Sequence, residues 1–390
     1  RRLDSNMTTL RSVFPSRQAD QDNGLLWTNV LTRLKQLTPD LLATALLVVL
    51  PLITFWALWA PNPADRLMFK GDILMQGYPS RFFVHRLFNA GEVPLWNPYQ
   101  LAGMPLLGDV QVAVFYLPNL ILDWLYLGQD LPYLAFEGAV IAHYVLGGLF
   151  FYAYLRNLKV GPAAALVGAI AFEFNGFFIG HRGHYNMFGV VVWVPAVLWL
   201  LDGAWQATTL RRIILWTVLA GLALSQLMMA GHPQLAMYSM LFIIAYFIFR
   251  WSAAWPTWRD WWQSPWSSRL QHPLVSRPLS FGVAGMLAGG IAAVALLPTA
   301  ELLGRSMRSE PTYAFSAAYS LLPRNFITLL VPEFLEWSTT EFRIYAGILT
   351  LILALVAWVV SQHNRPERRF YTIVLLVATV VALGGFTALQ

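Results

Sequence analysis

The chain reads as an all-α polytopic membrane protein, and three observations carry that reading. Hydrophobic residues make up 57% of its 390 positions and charged residues only 12%, about half the charge of a soluble domain. The mean hydropathy is +0.53. Nine apolar stretches reach or approach the ~20 residues that a helix needs to cross a bilayer.

In chain order, residues 1–40 are polar and form a cytoplasmic N-terminal segment. They hold no apolar h-region, so no cleavable signal is expected, and Met7 is the expected start. The predicted spans are 41–60, 133–155, 162–179, 186–203, 213–230, 235–250, 280–300, 344–362 and 370–389. A tenth apolar stretch, 110–127, is short and holds Pro118, Asn119 and Asp123. The positive-inside rule decides its place. If 110–127 stays on one side, 17 of the 26 basic residues fall inside and 9 outside; if it crosses, the split becomes 11 and 15. Residues 61–132 are therefore expected to form one long external loop with re-entrant or juxtamembrane helices. Irregular backbone at that depth is tolerated only against protein or water. The remaining chain, 41–390, forms one transmembrane domain. It has a cytoplasmic loop at 251–279, whose Trp251, Trp255, Trp258, Trp261, Trp262 and Trp266 read as an interfacial anchor. A further external loop covers 301–343. The chain stops at Gln390, inside or at the end of an apolar span, and reads as truncated at its C-terminus.

Composition also narrows function. The net charge of +6 is scattered through short loops, which fits topology determinants rather than a nucleic-acid surface. With no Cys, disulfides and thiolate metal sites are excluded.

The polar clusters gather at the external face: Gly71-Asp72, Asp109, His181 and His184, His232, and Glu301. Asp72 precedes a segment, 80–87, whose helical spacing and two arginines, Arg81 and Arg86, predict a helix lying flat on the bilayer. Alone, Asp72 also reads as a helix cap. The loop beyond it is dense in Gly and Pro, a sign of specified shape. His181, Arg182 and His184 read either as phosphate or metal contacts or as a hydrogen-bonded interface; two histidines without a third ligand are no metal motif. His232 before Pro233 reads as a buried cap or a ligand contact. Glu301 pairs with Arg305 or Arg308, or those arginines bind a phosphate. Glu137, His143 and Glu173 lie within predicted spans, where ionisable groups serve either function or buried pairing.

The run Gly71-Asp72 to Gln76-Gly77-Tyr78-Pro79 is followed by Pro94-Leu95-Trp96-Asn97-Pro98-Tyr99 and Gly103-Met104-Pro105. Asp109-Val110-Gln111, Phe115-Tyr116-Leu117-Pro118-Asn119, Gly231-His232-Pro233-Gln234 and Leu297-Pro298-Thr299-Ala300-Glu301 come next. Together these resemble the bacterial YfhO-like membrane proteins, of the GT-C class of lipid-linked sugar transferases, across roughly 65–335. The resemblance implies an inverting glycosyltransferase that moves a sugar from a polyprenyl-phosphate donor to a glycan, lipid or protein acceptor. The site would be at the outer face of the bacterial inner membrane. It implies catalytic roles for Asp72 and for Asp109, with Glu301 as the alternative second acid. Donor-phosphate or acceptor contacts would come from Arg81, Arg86, His181, Arg182, His184, His232, Gln234, Glu301, Arg305 and Arg308. A divalent cation, Mg or Mn, would sit on Asp72 and Asp109 if one is used. Two rival readings stay open. A transporter would use the intramembrane Glu137, His143 and Glu173, although no inverted repeat is visible. An accessory subunit of a larger membrane complex would keep the fold without the activity.

Overall fold

The computed structural model describes residues 38–62, 66, 69–269, 272–306, 312, 320–334, 342–360 and 365–386. Helix occupies each of the nine predicted span positions. Among the described residues six helices are long and apolar enough to cross a membrane: Tyr133–Asn157, Pro162–Gly180, Tyr185–Gln206, Leu210–Met229, Pro233–Ser252 and Pro273–Gly304. The other three fall short for identifiable reasons. α1 (Thr38–Thr54) ends before a 3-10 turn at Trp56–Trp59, α14 (Ile348–Val360) has 13 residues, and α15 (Arg365–Leu383) begins with four charges in five residues. This is a multi-pass membrane protein.

The sequence marks its own helix boundaries. α4 is Tyr133–Asn157. α5 (Pro162–Glu173) opens with proline at the first position, where no amide hydrogen is needed. Its span breaks at Phe174, and the Asn175 side chain caps the continuation α6 (Gly176–Gly180) by accepting from the Phe178 amide at 3.1 Å. α7 (Tyr185–Val191) and α8 (Trp193–Gln206) form one span hinged at Val192. α9 (Leu210–Met229), α10 (Pro233–Ser252) and α13 (Pro273–Gly304) complete the set. α13 has 32 residues and runs through Pro278 and Pro298. It outlasts the predicted 280–300 at both ends. Between α10 and α13 lie two short helices, α11 (Trp258–Gln263) and α12 (Trp266–Arg269). Trp255, Trp258, Trp262 and Trp266 stay exposed there, and the Arg269 guanidinium sits 4.4 Å from the Trp266 ring centre.

α9 is central, packed against α8 and α13, while α4 packs against α5 and α8. Small residues permit the close approaches. A Cβ on Gly221 would lie 3.0 Å from the Ala284 carbonyl of α13. Lipid-facing side chains such as Leu41, Leu52, Met286, Leu353 and Leu375 remain exposed, as a bilayer solvent requires.

Residues 69–132 form a cap with a small core of their own, built on Val84, Leu106, Val112 and Val114. α2 (Tyr78–Asn89) and α3 (Leu117–Leu125) frame it, with a two-residue antiparallel hairpin, β1 (Trp96–Asn97) and β2 (Met104–Pro105). The stretch 110–127 is not a span. It breaks into a 3-10 turn, a left-handed Ala113 and the nine-residue α3, ~14 Å long at 1.5 Å per residue.

One expectation for the cap is corrected. α2 does not present both arginines at its surface for headgroups, because Arg81 is only 2% exposed and forms an ion pair with Asp123 of α3. His85 joins them, with Nδ1 3.0 Å from Asp123 Oδ1 and Nε2 2.8 Å from the Gln129 carbonyl. Ser80, Arg81, Val84 and His85 make the buried face of α2, and Arg86 points outward. Arg81 is thus a cap-folding residue, withdrawn from any donor phosphate. Burial lowers its pKa to about 10, so it stays charged at neutral pH.

The cap is fastened to the bundle by polar groups that the sequence left ambiguous. Glu137 of α4 accepts from the Phe69 amide at 2.6 Å. His143 Nδ1 lies 2.6 Å from the Ala139 carbonyl and Nε2 2.7 Å from the Tyr116 hydroxyl, which also accepts from Trp193 Nε1 at 2.9 Å. Gln226 of α9 accepts from the Leu117 amide at 2.8 Å, and Tyr185 donates to Asn119 at 2.9 Å. Glu137 and His143 are therefore anchors for the cap. Glu173 is fully buried, and neither of its carboxylate oxygens has a hydrogen-bond partner.

Candidate functional site

Three chain segments meet where the cap seats on the bundle: 70–76, 109–111 and the turn 181–186. The Ile73 amide donates to the Gly183 carbonyl at 2.9 Å. This approach is possible only because residue 183 is glycine, since a Cβ there would stand 2.7 Å from the Lys70 carbonyl oxygen. Gln76 donates to the Gln111 side chain at 3.0 Å, and Asn186 donates to the Gln111 carbonyl at 2.7 Å. Gly231, at φ +95°, brings the α9–α10 turn against the same point, because its Cβ would lie 2.9 Å from the Val110 carbonyl.

The product of this seating is a carboxylate–imidazole pair. Asp72 Oδ2 lies 3.6 Å from His184 Nε2, with the Asp72 side chain 73% exposed. Asp72 makes no side-chain cap bond to the helix that follows it. Its carboxylate therefore faces solvent with His184 as its ion-pair partner among the described residues, an arrangement suited to receiving a proton from an incoming hydroxyl. His184 Nδ1 is buried without a hydrogen-bond partner. The His184 ring centre is 5.4 Å from that of His181, which stacks on Phe177 at 4.6 Å and places Nδ1 2.9 Å from the Phe177 carbonyl.

His232 belongs to the same neighbourhood. It caps α10, accepting from the Leu235 amide at 3.3 Å. Burial, with His184 and His181 adding like charge, holds it below the ordinary imidazole range. Asp109 is half-buried and accepts from the Gln111 amide at 3.0 Å. Burial raises its pKa above the usual carboxylate value, against the opposing effect of that amide. Its place in the site is as the brace of Gln111, whose side chain reaches back to Gln76.

The other predicted site residues are more dispersed. Arg182 is exposed and donates to the Ile179 carbonyl at 2.9 Å. Gln234 is exposed and donates to the Tyr238 hydroxyl at 3.2 Å. Glu301 pairs with Arg305 at 2.7 Å on an exposed turn of α13, with side chains 66% and 76% exposed. Arg308, like Asp65, lies outside the described residues. Among the described residues no group of three His, Asp or Glu side chains converges to hold a metal ion. Asp72 and His184 supply two donors, so a divalent cation there would complete its shell from phosphate oxygens and water.

Beside this site is a cavity of about 580 Å³ between α4, α5–α6 and the segment 343–350, lined mostly by apolar side chains and touched by His181 and Arg343.

A family model, Bacterial membrane protein YfhO, matches residues 115–388. The chain belongs to the YfhO family. Comparisons with curated proteins and with solved structures gave no match. The YfhO match covers His181, Arg182, His184, His232, Glu301 and the cavity, while Asp72, Arg81, Arg86 and Asp109 lie N-terminal to it. Sequence reasoning missed Asn186 and Arg343 as site residues, because nothing in their local sequence marks them. Gln76 and Gln111 were visible inside the Gly-Asp and Asp-Val-Gln motifs, but their mutual hydrogen bond was not.

Proposed function

We propose that this YfhO-family protein transfers a sugar from a polyprenyl-phosphate donor to an envelope acceptor at the extracytoplasmic face of the bacterial inner membrane, with its N-terminus cytoplasmic. The observation that carries the reading is the Asp72–His184 pair, held at one end of the bundle by a cap whose anchors are otherwise all structural. Asp72 is the residue that matches the first-loop acid of GT-C transferases, which the motif resemblance implies.

In this reading the acceptor hydroxyl approaches the exposed face of Asp72. The carboxylate takes its proton as the acceptor oxygen bonds to the anomeric carbon. The bond from that carbon to the donor phosphate oxygen breaks, its electron pair leaves with the polyprenyl phosphate, and the anomeric centre inverts. His184 orients the Asp72 carboxylate through Oδ2, leaving the other oxygen for the acceptor. Lys70 and Arg182, both exposed beside the Gly183 contact, supply positive charge for the phosphate. Asp109 acts through Gln111 and Gln76 and is a positioning residue.

The test is turnover by purified full-length chain in lipid nanodiscs, offered a panel of polyprenyl-phosphate sugars with and without acceptor glycans. Release of polyprenyl phosphate that depends on protein and acceptor supports the reading. Absence of turnover across the panel, with the fold intact, overturns it in favour of an accessory role.

A further inference from the structure

We infer that Arg250 and Arg277 form a headgroup site for an anionic phospholipid, at the end of the bundle opposite the cap and at the neck of the Trp-rich segment 251–276. The site lies apart from Asp72, and it stands or falls independently of the transferase reading.

The placement follows from helix direction. α10 starts at the cap, where Gly231 packs against the Val110 carbonyl. Its 20 residues carry the chain ~30 Å away at 1.5 Å per residue. α13 returns to the cap, since a Cβ on Gly108 would stand 3.1 Å from a Leu302 methyl. Arg250, in the last turn of α10, and Arg277, near the start of α13, therefore share the end remote from the cap. They meet there: Arg277 Nη1 donates to the Arg250 carbonyl at 2.5 Å. A second bond closes the neck, from Trp251 Nε1 to the Leu274 carbonyl at 3.2 Å.

The neck holds more positive charge than its own acids balance. Asp202 of α8 is fully buried, pairs with Arg250 Nη2 at 3.1 Å and accepts from the Tyr246 hydroxyl at 2.7 Å. Arg277 has no ion pair among the described residues, and its Nε is buried without a hydrogen-bond partner. α15 adds Arg365, Arg368 and Arg369 to one acid, Glu367, and its Phe370 stacks on Phe249 of α10 at 4.5 Å. A buried guanidinium donor left open is costly until a ligand completes it. A phosphate diester offers the oxygens that the guanidinium fork binds.

Two features select a lipid over a soluble anion. Trp255, Trp258, Trp262 and Trp266, in the segment between the two arginines, are exposed, and indole rings favour the headgroup level of a bilayer. Each arginine also stands above an exposed aliphatic stripe, Ile248, Ile244 and Leu241 on α10 and Leu279, Val283 and Met286 on α13. Their spacing of four and then three residues keeps each trio on one helix face. Acyl chains therefore have apolar surface leading from the phosphate contact into the bilayer. The surplus of positive charge selects an anionic headgroup, because the cation of a choline headgroup would be repelled by the same arginines.

The experiment titrates the purified full chain, in detergent, with dioleoyl phosphatidylglycerol and counts bound lipid by native mass spectrometry. Dioleoyl phosphatidylcholine and inorganic phosphate are the alternative probes. Wild type is expected to bind phosphatidylglycerol at least tenfold more tightly than either. Arg277→Gln is expected to weaken that binding at least tenfold, the scale of one charge-assisted hydrogen bond. Arg259→Gln removes an equal charge from the exposed face of α11, outside the neck, and should stay within twofold of wild type. A loss below threefold in Arg277→Gln overturns the inference, as does an equal loss in the two variants. Equal binding of phosphatidylcholine also overturns it, and so does equal binding of inorganic phosphate, which would make this a soluble-anion site. Should Arg277→Gln fail to fold, Arg277→Lys decides: it keeps the charge but not the fork and should lose at least threefold, with a smaller loss refuting the site.

Discussion

Gly183→Ala is the substitution that most sharply separates the geometry of the site from its chemistry. The new Cβ would stand 2.7 Å from the Lys70 carbonyl oxygen, where ordinary contact begins at 3.4 Å. The obstacle is backbone, so no side-chain rotation relieves it. The 70–73 segment must retreat by ~0.7 Å, which stretches the 2.9 Å bond from the Ile73 amide to the Gly183 carbonyl and carries Asp72 away from His184. Overpacking on this scale costs ~1–3 kcal/mol, a modest loss of stability. The cost to reaction is larger in proportion, because a misplacement near 1 Å lowers rates by on the order of 100-fold. The expected outcome is a folded, slightly less stable protein whose transfer rate falls ~10- to 100-fold. Thermal unfolding in nanodiscs gives the first quantity and a steady-state transfer assay the second. Wild-type rates in a Gly183→Ala protein would refute the claim that this contact positions Asp72.

Three further outcomes follow from the same structure. Arg81→Gln leaves Asp123 buried without its cation and should destabilise the protein by ~3–5 kcal/mol, while the donor KM of the folded fraction stays within twofold; unchanged stability with a raised KM would return Arg81 to the donor site. Because His232 titrates below its unfolded value of ~6.5, the folded chain binds fewer protons than the unfolded one between the two values. The cap's contribution is complete above that window and declines as pH falls through it, and His232→Asn, which keeps the cap, should flatten this part of the melting-temperature profile; an identical slope in the variant would place the titration elsewhere. Arg305→Ala removes an exposed ion pair and should change stability by no more than ~0.5 kcal/mol, with a larger loss showing that the pair has a structural role.

The spans were legible because hydrophobic length is local and needs no partner. Residues 110–127 were legible as a non-crossing stretch for a global reason, since the distribution of Arg and Lys depends on it; in the structure the break at Ala113 leaves only the nine-residue α3 there. The ends of α13 were less legible, because Pro278 and Pro298 look like boundaries and are accommodated within it. The exposure of Arg81 was read wrongly because the amphipathic pattern of α2 is compatible with a bilayer surface, and Asp123, which pulls Arg81 inward, lies more than forty residues away. Asp72 and His184 were each visible as candidates, yet their pairing depends on one glycine contact between distant loops. Arg343 was invisible, since a lone arginine in a loop between two helices looks like any solvated charge until the cavity beside it is seen.

The central claim is that Asp72 is the proton acceptor of a sugar transfer. Its most direct test compares wild type with Asp72→Asn in transfer from a polyprenyl-phosphate sugar, with carrier binding measured on the same preparations. The account predicts a fall of ~100- to 10,000-fold in rate, the scale of a general base, with carrier binding retained. A variant that transfers sugar within tenfold of wild type would contradict it.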